Sequence, residues 1–194
     1  MKKLFLSFAF LVLITISSIA QLEKGSWIGG VNGNLSIVGR SSGTQYLSWS
    51  FNPYAMYLVS KNFAVGVDMD NGFTYYKGNY QDGSESYSMH GTTYSLQLTP
   101  TVRKYFGNGS VRPYVGLSTG VLMEHMRGYS SYDEHTTTET GFSYYLAPQV
   151  GVSWWVNDKV FFDMKASYNL MDSYFGSGYH TFDLKIGVGF KIGK

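Results

Sequence analysis

The sequence predicts an all-β protein, an eight-stranded antiparallel up-and-down transmembrane β-barrel. Three observations carry this reading. Apolar residues recur with period two, the period of a strand, and no window stands out with the helical period. Eight such runs are joined by connections that alternate short and long. The polar face of the runs is mostly Gly, Ser, Thr and Asn with a few charges of both signs, where a solvated sheet would carry many Lys and Glu.

Composition points the same way. Of 194 residues only 14% are charged, against roughly 25% in soluble domains, while aromatics reach 18% and there are 23 Gly. The formal charge of +2 argues against a nucleic-acid partner. The chain has no Cys, which excludes a disulfide scaffold, a thiolate zinc site, a cysteine nucleophile and a lipid-bearing cysteine.

Residues 1–20 read as a secretory signal peptide. Met1-Lys2-Lys3 is the positive start, Leu4 to Ile16 the apolar stretch, and Ser18-Ile19-Ala20 the small-residue cleavage site. The run is too short for a membrane helix, which needs about 20 apolar residues. Its removal takes two of the 15 basic residues and none of the 13 acidic ones, leaving residues 21–194 as one neutral barrel domain.

The strands are predicted over 26–38, 46–59, 63–76, 92–106, 112–127, 142–156, 159–171 and 179–192. The last is the clearest: Phe182, Leu184, Ile186, Val188, Phe190 and Ile192 alternate with Asp183, Lys185, Gly187, Gly189 and Lys191. The seventh sets Val160, Phe162, Met164, Ala166, Tyr168 and Leu170 against Phe161, Asp163, Lys165, Ser167 and Asn169. The fourth sets Tyr94, Leu96, Leu98, Pro100 and Val102 against Ser95, Gln97, Thr99 and Thr101. Short turns fall at Ser60-Lys61-Asn62, Gly107 to Val111 and Asn157-Asp158, and long polar connections at 39–45, 77–91, 128–141 and 172–178. Pro53, Pro100 and Pro148 recur at 47 and 48 residues on the apolar face of even-numbered strands. Proline cannot donate to a ladder, so they predict a recurring bulge that curls the sheet.

The apolar face is expected to meet lipid. It runs almost unbroken over the ~9–11 residues per strand that a bilayer requires, and a closed ring leaves no edge in hydrocarbon. Trp27, Tyr57, Phe63, Tyr114, Trp154 and Phe190 predict one interfacial aromatic belt, and Tyr46, Tyr75, Tyr94, Tyr144 and Tyr168 the other. The inward face then carries Asp68, Asp70, Arg103, Glu124, Asp163, Lys165, Asp183 and Lys185. Buried charges must pair, and this set can do so as a structural network. The alternative is a set of pore-lining residues that select ions.

The segments Phe51 to Val67, Val102-Arg103-Lys104-Tyr105-Phe106, Arg112-Pro113-Tyr114-Val115-Gly116 and the last strand make the chain resemble the small eight-stranded outer-membrane barrels of the OmpA/OmpX kind. The resemblance covers nearly all of 21–194. It implies an outer-membrane protein of a Gram-negative cell, with long loops extracellular and termini periplasmic. It also implies contact with outer-membrane lipids and lipopolysaccharide, passage through the barrel-insertion machinery, and a monomeric state. The family includes adhesins, small pores, enzymes and inert anchors. The chain departs from it in running on from Phe190 through Lys191-Ile192-Gly193-Lys194, where family members often end on an aromatic.

The chemistry-bearing residues call for no cofactor, metal or catalytic role. His90, His125, His135 and His180 fall at the long-loop rim, and no pair has the spacing of a preformed metal site. His125 beside Glu124, with Ser118 on the same strand, is the one candidate triad, and it needs hydrogen-bond contact to act. Asp133-Glu134 with Glu139 reads as a solvated loop. Gly29-Gly30 and Gly107-Asn108-Gly109 precede no helix and are not phosphate loops. The expected function is therefore non-enzymatic: outer-membrane integrity, or surface interaction with an external ligand through 77–91 and 128–141. A small transport pore and a lipid-modifying enzyme are the alternatives.

Overall fold

A computed structural model describes residues 22–39, 45–82, 85–131, 135–172 and 179–193. The predicted leader, Gly83, the acids Asp133 and Glu134, and most of the 39–45 and 172–178 connections lie outside them. The strands are β1 (Trp27–Gly39), β2 (Gln45–Ser60), β3 (Phe63–Asp82), β4 (Glu85–Tyr105), β5 (Val111–Ser130), β6 (His135–Trp155), β7 (Val160–Asp172) and β8 (Tyr179–Ile192). Each pairs antiparallel with the next, and β8 closes on β1 from Trp27↔Ile192 to Gly33↔Ile186.

Period-two patterning sets which face is which. Leu98, Leu184 and Ile186 are 59%, 52% and 63% exposed, while Arg103, Asp163 and Ser153 are at most 1% exposed. The barrel is thus apolar outside and polar inside, the arrangement a bilayer selects.

Two expectations are corrected. The connections at 77–91 and 128–141 are mostly strand. β3 and β4 pair as far as Asp82↔Glu85, and β5 and β6 as far as Ser130↔His135. These segments are rich in Tyr, Thr and Ser, which suit a pleated surface. Apolar alternation fades there, as expected of strand that extends past the hydrocarbon layer. Strands of 20 or 21 residues are about twice what crossing requires, so β3–β6 stand out of the barrel as a tall sheet.

The prolines make no bulge. Around Pro53, Pro100 and Pro148 the ladder toward the following strand loses the pairs of that residue and the one before it, then resumes in the same register. The missing N–H removes a bond without inserting a residue. The register shift in β2–β3 lies instead at Leu58/Ser60, beside the tight turn where Asn62 takes φ 61°.

The segment before β1 folds back across the short-turn end. Gly25 N donates to Leu58 O at 2.9 Å, and Asn62 N donates to Leu22 O at 3.2 Å. Leu22 is 1% exposed among Ile28, Met56, Leu58, Ala64 and Tyr105.

Candidate functional site

The lumen is the best-built part of the molecule, and its short-turn third is aromatic. Tyr54, Tyr105, Tyr114, Trp155 and Phe161 all point inward and are buried. Tyr114 is therefore not in an interfacial belt, as its place near a strand end suggested. Pro113 and Val115 take the outer face of β5, and alternation sends Tyr114 inside. Trp155 and Phe161 pack with ring centroids 4.4 Å apart, Tyr105 and Tyr114 at 5.2 Å. Glycines make the room. A side chain at Gly151 would run into the Tyr114 ring, and one at Gly189 into Phe161 and the Tyr54 hydroxyl. Arg112 caps this layer from the turn side. Its guanidinium lies 5.4 Å from the Trp155 ring centroid and donates to the Gly109 carbonyl at 3.0 Å.

On this floor sits Arg103. Its guanidinium carbon is 4.8 Å from the Tyr54 centroid and 5.1 Å from that of Tyr114, within cation–π range. Nη2 donates to Asp68 at 3.1 Å, and Nη1 lies 3.6 Å from Asp163. Asp68 also accepts from Lys165 Nζ at 2.9 Å. Asp163 is held by Ser153 Oγ at 3.0 Å and by the Tyr114 hydroxyl at 3.3 Å. One layer higher, Lys185 pairs with Asp70, and Asn169 Nδ2 donates to Asp183 at 2.7 Å. Asp68 and Asp70 come from β3, Arg103 from β4, Asp163 and Lys165 from β7, and Lys185 from β8, so the pairs reach across the bore.

Glu124 is not brought into this set. It is inward and half-buried on β5, opposite Ser95 and Gly141, with no ion pair among the described residues. Beside the network, Tyr145 bonds Thr99, Gln149 Nε2 donates to Ser118 at 2.7 Å, and Ser118 shares a 2.8 Å bond with Thr101. The cavity these side chains leave is about 30 Å³. That is room for roughly two waters.

The candidate triad is not assembled. Ser118 and Glu124 occupy even, inward positions of β5, while His125 points out and shares a 2.8 Å bond with Thr140. His90 lies against Tyr129, His180 stacks on Tyr168, and His135 is exposed at the start of β6. No three His, Asp or Glu among the described residues come together as a metal site.

The ring, its apolar exterior and its filled bore define an eight-stranded antiparallel up-and-down transmembrane β-barrel. No protein-family model matches the chain, and no curated protein does. Solved structures do match. The outer membrane protein OprG from Pseudomonas aeruginosa is 16% identical, with 91% of this chain and 100% of that one covered at a TM-score of 0.48. Neisserial surface protein A is 19% identical, with 87% and 98% covered at 0.44. Ail, the attachment invasion locus protein of Yersinia pestis, is 17% identical, with 87% and 99% covered at 0.45.

Proposed function

We propose that the protein is a monomeric, non-enzymatic barrel of a Gram-negative outer membrane, closed to solutes, that supports the membrane and presents the β3–β4 and β5–β6 hairpins to the cell's surroundings. The carrying observation is the lumen: charges from opposite walls pair across the bore above a buried aromatic floor. An ion or sugar would have to break several buried pairs to pass. The tall hairpins lie at the end away from the short turns, and barrels of this kind keep short turns in the periplasm and long loops outside. Residues 1–20 supply the export signal in this reading, and the lumen charges serve as a structural lock.

The test is a strain lacking the gene, complemented with wild type, with three readouts. The reading expects detergent sensitivity to rise in the deletion and return to normal on complementation. It expects entry of a small chromogenic solute and the mass of lipid A to stay unchanged. Faster solute entry on complementation would make the protein a pore, and a lipid mass shift would make it an enzyme.

A further inference from the structure

The tall sheet carries a cleft on its outer face. Tyr75, His90, Thr92, Arg127, Tyr129 and Thr136 line a space of about 480 Å³. The β4–β5 register orders the outward residues by depth: His90↔Tyr129, Thr92↔Arg127, Tyr94↔His125, Leu96↔Met123 and Leu98↔Val121. The alternate residues Gly91 and Leu122 are buried inside, which fixes this set as the outward one. Polar and cationic groups therefore give way to aromatic and then to apolar ones within six residues of β5, roughly 20 Å of strand. Leu98 is 59% exposed and Val121 42%. Arg127 lines the cleft and has no carboxylate partner among the described residues.

That order, cation then aromatic then apolar, is the order of a phospholipid read from its head. A guanidinium fork matches phosphate oxygens two at a time, and His90 and the Tyr75 and Tyr129 hydroxyls add further polar groups along the same cleft. A soluble phosphate compound would gain nothing from the strip below. We propose that the cleft seats the phosphate of a lipid in the adjoining leaflet, with Arg127 as principal contact and the acyl chains lying over Tyr94, Leu96 and Leu98. This rests on the reading above that β3–β6 rise from the outer side of the membrane.

The experiment uses the mature chain in neutral detergent micelles, with phosphatidic acid or a diacylglycerol of the same chains, and counts retained lipid by native mass spectrometry. Phosphatidic acid should be retained about tenfold better, the size expected from one charge-assisted contact. Arg127→Gln with His90→Gln should abolish that preference, and Arg127→Gln alone should reduce it. Both residues are exposed, and an unchanged thermal midpoint confirms folding. Equal retention of the two lipids by wild type, or a preference that survives in the double variant, overturns the proposal. So does displacement by an equal concentration of inorganic phosphate, which would make the cleft a free-phosphate site. Orientation is scored separately, by protease cleavage of the β3–β4 hairpin on intact cells. Cleavage only in opened cells would refute the outer-side reading without touching the micelle result.

Discussion

Lys165 on β7 donates to Asp68 on β3 across 2.9 Å, although these strands stand opposite one another in the ring of eight. Such a bond exists only if the bore is narrow enough for side chains to meet in its centre, the filled geometry expected of eight strands. Removing one partner leaves a buried charge unpaired, which typically costs about 3–5 kcal/mol. Arg103→Met leaves Asp163 without a cation and Asp68 with Lys165 alone, so it should lower the thermal midpoint in detergent by more than Lys165→Met, after which Asp68 keeps Arg103.

The faces give a second prediction. Val188 points out and Gly187 and Gly189 point in. Val188→Arg should impair folding into bilayers by up to about 2–4 kcal/mol near the midplane, while Val188→Leu should be near neutral. Normal folding of Val188→Arg in urea titrations in vesicles would mean that the outer face does not meet lipid.

The aromatic floor gives a third. Trp155 is fully buried between Phe161 and Arg112. Trp155→Ala should cost about 3–5 kcal/mol of stability, and the outward neighbour Trp154→Ala distinctly less. Equal effects in chemical denaturation would contradict the inward placement of Trp155.

Orientation gives a fourth. An epitope inserted after Gly83, between β3 and β4, should bind antibody on intact cells, and one inserted at Asn108 should bind only after the membrane is opened. The opposite labelling would place the tall sheet in the periplasm.

Much of this architecture is legible in the sequence. The alternation of β4, β7 and β8 states which side chains share a face, because a strand can turn only one of its two sides to lipid. What period two cannot state is who meets across the bore. Lys165 and Asp68 are 97 residues apart, and only ring closure brings them together. Tyr114 is misread because an aromatic near a strand end looks the same whether it anchors at an interface or fills a mouth. The upper halves of β3–β6 read as loops because hydrophobic alternation ends where lipid ends, while hydrogen-bonded pairing continues. Leu22 gives no signal of its own, since one apolar residue beside a predicted cleavage site carries no period.

The measurement closest to the central claim is single-channel recording of the purified mature protein in a planar bilayer, with Arg103→Met beside it. Wild type should pass no steady current, and the variant should be less stable, with or without transient openings. A steady ionic current from wild type, with its ion selectivity altered by Arg103→Met at unchanged stability, would contradict it and make the lumen a conduit.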